Sequence, residues 1–179
     1  MHKSTLALHL VKLIVILAYF SLSACSSTGE KKASKELFDM LDKANNAYSE
    51  GNWLEAEMYY QQIIEKVPDD SYAWMRMGNA RLQTGQIDAA IAAYQESIKH
   101  SPNQSKPYYN LSTAYMIQAQ RVLEKAKRNM QKNDSGNTLV DERIKGLKAL
   151  TTGGFSGYEK SNENTSRSEN QIRYYMSAH

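Results

Sequence analysis

The chain repeats itself at a spacing of 34 residues. Pro68 and Pro102 are 34 apart, as are Gly51 and Gly85, Ala56 and Ala90, and Tyr60 and Tyr94, while Ala44 aligns with Gly78. A period of this size marks stacked supersecondary units, none of which can bury its apolar face alone. The shared positions have steric roles. Gly78 and Ala44 fall on the first helix of each unit, where a second helix crosses closely, and Ala56 and Ala90 are the reciprocal small positions on that second helix. Gly51 and Gly85 end the first helix, because glycine takes the left-handed C-cap conformation without a Cβ clash. Pro68 and Pro102 stop the second helix. Trp74, Tyr60 and Tyr94 supply large apolar area between neighbours. With only three prolines, all at element boundaries, and few β-branched clusters, the chain reads as helical throughout.

Two stretches carry a family pattern. One runs Ala44-Asn-Asn-Ala-Tyr48-Ser-Glu-Gly51-Asn-Trp53-Leu-Glu-Ala56-Glu-Met-Tyr59-Tyr60 and closes at Pro68. The other runs from Trp74 through Gly78, Gly85 and Ala90 to Tyr94 and closes at Pro102. Together they resemble tetratricopeptide (TPR) repeats over about residues 37–118. The resemblance implies an all-α helix-turn-helix solenoid occupying residues 34–132, with units at about 37–70, 71–104 and 105–132. The third unit is expected to be incomplete. Pro107-Tyr-Tyr-Asn-Leu-Ser112-Thr-Ala-Tyr115 fits a first helix, with Ser112 in the small slot, but Ala119 stands where the glycine would recur and Glu124 where the alanine would. With no breaker before Lys132, the spacing predicts one long capping helix from Pro107 to about Lys132, with Val122, Ala126 and Met130 on one face. Asp134-Ser-Gly-Asn137 then breaks the chain, and residues 133–151 read as a short amphipathic helix through Leu139, Ile144, Leu147 and Leu150. Residues 152–179 are rich in Gly, Ser, Asn and Glu and are expected to be mostly disordered. Within them only Ile172-Arg-Tyr-Tyr-Met176 is apolar enough to dock, a frayed end being the other reading.

The amino terminus has a different character. Lys3 and Lys12 precede or begin a ten-residue apolar run, Leu13 to Leu22, that ends in Ser23-Ala24-Cys25, with no acid before the cysteine. A basic start, a short apolar stretch and small residues make a secretory signal layout, and ten residues fall short of the ~20 needed to span a bilayer as a helix. Leu22-Ser23-Ala24-Cys25 resembles the lipobox of bacterial lipoproteins, an ordinary secretory signal or a single-span anchor being the rival readings. The resemblance implies that residues 1–24 are removed and that the Cys25 thiol is diacylated, its new amine usually taking a third chain. Residues 26–33 would then form a polar linker. Two or three long acyl chains hold a protein to a membrane almost permanently. Ser26 after the cysteine implies, by the sorting rule of that family, the periplasmic side of the outer membrane in preference to inner-membrane retention. Cys25 is the only cysteine, so once acylated it leaves no thiol for a disulfide, a metal or catalysis.

Charge narrows the partners. The chain carries 22 Lys and Arg against 19 Asp and Glu, but without residues 1–24 the bases fall to 20 and the net charge to +1, which makes no case for nucleic-acid binding. The balance is uneven, with residues 25–70 at −5 and residues 121–150 at +4. Nothing points to catalysis. Of the four histidines, His2 and His9 lie in the signal segment, His100 sits beside Pro102 and His179 ends the chain. No metalloprotease, nucleophile-elbow or phosphate-loop pattern occurs. Asp69-Asp70 and Asp141-Glu142 are adjacent pairs that diverge on a helix or turn. The expectation is a non-enzyme with no metal and no cofactor beyond the covalent lipid.

The TPR resemblance also implies a concave groove lined by the first helices. Its positions here are Phe38, Leu41, Asn45 and Tyr48 in the first unit; Tyr72, Met75, Arg76, Asn79 and Leu82 in the second; and Lys106, Tyr109, Asn110, Thr113 and Met116 in the third. Most are apolar or aromatic, which suits an amphipathic or aromatic-bearing peptide or helix. Asn45 and Lys106 match part of the carboxylate clamp of chaperone-binding TPR domains, whereas Leu41, Arg76 and Asn110 depart from it. The expected function is a lipid-anchored periplasmic adaptor that binds a protein partner and assists an envelope machine, by resemblance to small TPR lipoproteins of Flp (Tad) pilus, type IV pilus and secretion systems. A scaffold for peptidoglycan enzymes or proteases, and a self-associating structural lipoprotein, are the alternatives.

Overall fold

A computed structural model of the chain describes residues 26–130 and 135–160, together with Lys12. The rest of the signal segment, Cys25 and the tail beyond residue 160 lie outside the described residues. Among the described residues six helices follow in order: α1 (Ser26–Ser49), α2 (Trp53–Lys66), α3 (Ser71–Gln83), α4 (Ile87–His100), α5 (Ser105–Asn129) and α6 (Gly136–Lys160). Among the described residues no strand occurs.

The turns inside the first two pairs repeat atom for atom. Gly51 and Gly85 both have φ of 77°. At the first turn the Gly51 N–H donates to Tyr48 O (3.1 Å) and the Asn52 N–H to Ala47 O (2.8 Å); at the second, Gly85 donates to Leu82 O (3.0 Å) and Gln86 to Arg81 O (2.8 Å). Both are Schellman caps, in which a left-handed residue lets two N–H groups reach the last helical carbonyls. The turn between units is fastened separately. Asp70 caps α3 by accepting from Tyr72 N and Ala73 N, and the Trp74 indole N–H donates to Pro68 O at 2.8 Å.

Packing follows the small positions. A Cβ placed on Gly78 would lie 2.6 Å from the Tyr94 ring, closer than real Cβ atoms come, so α3 and α4 approach to a distance only glycine permits. Tyr60 and Tyr94 are fully buried, and each hydroxyl donates to the asparagine that precedes it by 15 residues, Tyr60 to Asn45 (2.8 Å) and Tyr94 to Asn79 (3.0 Å). One core cluster joins α1, α2 and α3 through Leu41, Ala44, Tyr48, Tyr60 and Met77. A second joins α3, α4 and α5 through Met75, Ile87, Ala90, Tyr94 and Ala114. A half-buried ion pair, Arg81 Nε to Glu57 Oε1 at 2.7 Å, ties α2 to α3.

The third unit departs from the first two. α5 runs without a break past the point where its predecessors turn, and α6 folds back antiparallel along its far half. Lys127 pairs with Asp141, Lys148 Nζ lies 3.6 Å from Glu124 Oε1, and Ile144 is buried. Several expectations are corrected here. Residues 26–33 are not a linker but the first turns of α1, since nothing after Ser26 stops a helix except Gly29, which costs only about 1 kcal/mol. α6 does not stop at 151; it continues to Lys160 despite Gly153 and Gly154. Leu139 and Leu150, expected on the apolar face of the last helix, are exposed, as is Val122 on α5. The stripe of α6 that turns toward α5 instead runs through Asn137, Val140, Ile144, Leu147 and Thr151, all buried or half-buried. No helix among the described residues is long and apolar enough to cross a membrane.

Candidate partner-binding groove

The first helices of the three units, α1, α3 and α5, stand side by side and are linked by asparagines. Asn45 on α1 accepts from the Tyr72 hydroxyl of α3 at 3.1 Å, and Asn79 on α3 accepts from the Asn110 amide of α5 at 2.8 Å. Each asparagine oxygen therefore takes a phenol from the second helix of its own unit and a donor from the first helix of the next. Because such groups are costly to leave unpaired when buried, this ladder holds the three helices in register and defines a continuous face.

Arg76 dominates the middle of that face. Its guanidinium carbon lies 4.5 Å from the Tyr48 ring centroid and 5.2 Å from that of Tyr72, and its Nε–H donates to the Tyr72 hydroxyl at 2.9 Å. Burial works against its charge, but the phenols of Tyr72, Tyr60 and Tyr48 outweigh it and raise its pKa. A cation held between two aromatic rings is stiff and well placed to meet a carbonyl, a carboxylate or another ring.

The fourteen expected groove residues divide into two groups. Phe38 and Tyr109 are exposed, at opposite edges of the face, and Asn45, Tyr72, Arg76, Leu82 and Met116 are half-buried. Leu41, Tyr48, Met75, Asn79, Lys106, Asn110 and Thr113 are buried. For these seven the expectation of direct ligand contact is corrected: Leu41, Tyr48 and Met75 are core residues, and Asn79 and Asn110 bond each other. The partial clamp narrows likewise, since the Asn45 oxygen is occupied by Tyr60 and Tyr72 and Lys106 is buried. Among the described residues no cluster of His, Cys, Asp or Glu could hold a metal.

The Tyr48–Arg76–Tyr72 sandwich was not legible in the chain, because it depends on how α1 and α3 lean together. The asparagine–tyrosine bond was legible: Asn45 and Asn79 keep the same 34-residue spacing as Tyr60 and Tyr94.

Residues 41–105 match the family described as tetratricopeptide repeat. The fold is a tetratricopeptide-repeat solenoid. Among solved structures the chain is similar to the TPR2B-domain:pHsp70-complex of yeast Sti1, with 18% identity and a TM-score of 0.46 over 65% of this chain and 98% of that one. No curated protein matches. A TPR solenoid is a module for protein–protein interaction, and two of the chain's exposed aromatic side chains, Phe38 and Tyr109, stand on its groove face.

Proposed function

We propose that the chain is a non-enzymatic adaptor, anchored by lipid on Cys25 to the periplasmic side of the outer membrane, that binds a protein segment along the α1–α3–α5 face and assists assembly of a pilus or secretion machine. The observation that carries the binding role is the open aromatic face itself, with Phe38 and Tyr109 exposed at its edges and the Arg76 guanidinium between two rings at its centre. That arrangement suits an extended or helical segment bearing an aromatic side chain and an acceptor for Arg76. The lipid anchor rests on Leu22-Ser23-Ala24-Cys25 and the envelope role on the resemblance to TPR lipoproteins; both are supported by the sequence alone.

Two experiments test this reading. A photo-reactive amino acid at Phe38 or Tyr109, activated in living cells, is expected to capture a pilus or secretion component; recovery of the free protein alone, or of peptidoglycan hydrolases, defeats the assembly role. Replacing Cys25 by Ala is expected to release the protein from membranes, and tight retention would defeat the anchor.

A further inference from the structure

The α5–α6 hairpin leaves an apolar face uncovered. In the second unit Met77 is fully buried, Trp74 is half-buried, and the Tyr94 ring of α4 is pressed on Gly78. The matching positions in the third unit are Tyr108, Leu111 and Ser112, and among the described residues no helix takes the place of α4. Tyr108 is 47% exposed, Tyr115 44% and Val122 62%, and at 3.6 residues per turn Tyr108, Ser112, Tyr115, Ala119 and Val122 form one stripe. α6 does not cover it. The ion pairs from Glu124 and Lys127 place α6 against the neighbouring stripe of Met116, Gln120 and Leu123. On α6, Leu139 (58% exposed) and Leu150 (62%) fall to one side of the stripe that packs on α5. With the helices antiparallel, that side is the one on which Tyr115 and Val122 emerge. Five of the nine exposed large apolar residues described for the chain thus share one face of the hairpin.

We propose that this face pairs with the same face of a second copy of the chain, joining two hairpins into a four-helix bundle. Its dimensions suit a dimer. From the level of Tyr108 to that of Leu139 it spans about 30 Å, and two helices are about 20 Å wide, giving roughly 600 Å2 per copy, the lower end of the ~600–1,000 Å2 per partner of a stable interface. Its charge suits one too. Among the described residues Arg143 is the one charged side chain that helical geometry puts on this face, whereas Arg121, Arg128, Lys145 and Lys148 lie on the opposite side of the hairpin, where two copies would repel. A two-fold pair needs a self-complementary surface, and a nearly neutral stripe of Tyr, Ala, Val and Leu is one. The chain's own carboxy-terminal run, Ile172 to Met176, is too short for the task, since five extended residues reach only about 17 Å.

Sedimentation velocity of the full chain in mild detergent tests the pairing. At about 20 µM, above the micromolar Kd of a modest interface, the protein is expected to sediment as a dimer. The double variant Tyr115→Glu/Leu150→Glu should be monomeric, with unchanged helicity by circular dichroism because both side chains are exposed. The control Leu54→Glu, at an exposed leucine on α2 outside this face, should remain dimeric. A monomeric wild type overturns the proposal, as does a dimer that survives the double substitution or one that Leu54→Glu dissociates.

Discussion

At position 78 a glycine is pressed against the Tyr94 ring, whereas at position 112, the matching place in the third unit, a serine faces solvent. The same contrast runs through the two regions. In the first two helix pairs, side chains with paired roles recur at fixed offsets: a glycine cap, a small residue under a tyrosine, and a tyrosine hydroxyl on an asparagine. Among the described residues of the α5–α6 hairpin none of these recurs, and buried Ile144, half-buried Val140 and Leu147 and two surface ion pairs hold the helices together. Regular repeats draw their stability from close, shape-specific contacts. The hairpin draws on helix length and a thin apolar seam, so the two regions should respond differently to similar substitutions.

The largest difference is expected from truncating a buried anchor in each region. Tyr94→Ala removes a fully buried ring and one of the two hydrogen bonds to the Asn79 oxygen, and should cost about 4 kcal/mol, whereas Ile144→Ala should cost about 2 kcal/mol because its neighbours are half-exposed. Urea unfolding gives both values, and hydrogen exchange should show Ile144→Ala loosening α6 while α1–α4 stay protected. Equal losses would erase the distinction.

The next effect is a pH dependence confined to the regular region. Burial pushes the Asp70 carboxyl up to about 6, with Asp69 adding to the rise, against the N–H groups of Ala73 and Tyr72 that favour the anion. Between the unfolded value near 4 and the folded value near 6, the folded state binds a proton that the unfolded chain lacks. The contribution of Asp70 to stability is therefore complete below about pH 4 and lost as pH rises through 6, a swing on the order of 3 kcal/mol. Asp70→Asn lacks this term, so the wild type should gain on the variant between pH 7.5 and pH 4. A constant gap between the two unfolding curves would show that the N–H groups keep the carboxylate ionised.

Glycine-to-alanine changes should differ in sign. Gly78→Ala forces a Cβ into the Tyr94 ring and should lose about 2 kcal/mol net of the gain in helix propensity. Gly146, which has nothing within 4 Å of an added Cβ, should gain up to about 1 kcal/mol on the same change. Thermal melts of the two variants decide it, and a stabilised Gly78→Ala would mean that α3 and α4 can move apart freely. The smallest effect concerns caps. Gln104 stands 34 residues after Asp70 and makes no side-chain cap to α5, so Gln104→Asp should add about 0.5–1 kcal/mol, read as a higher melting temperature at neutral pH.

The repeats were legible because their constraints are local and doubled: each of Gly51, Ala56, Tyr60 and Pro68 has a counterpart 34 residues on, and steric necessity explains each pair. The hairpin was legible only as helices. Leu139, Ile144, Leu147 and Leu150 fit two stripes of α6, and nothing in their spacing says which one meets α5; the heptad through Val140, Ile144, Leu147 and Thr151 is the one that does, and the exposed Lys127–Asp141 pair beside it is too weak to have made that choice. The groove was half legible. Family position finds the right face, but the depth of a side chain within it depends on how neighbouring helices lean, which is why Tyr48 and Met75 proved to be core and Arg76 proved to be clasped.

α5 belongs to both regions, and its length turns it into a lever. Its first turns are wedged between α4 and the groove, and its last residue, Asn129, stands about 17 residues or 25 Å farther along the same unbroken rod than Ser112. With no glycine or proline between them to absorb bending, a tilt of about 10° set at the groove end moves the hairpin tip by roughly 4 Å. A partner seated beside Tyr109 that set such a tilt would steer the far end of the molecule.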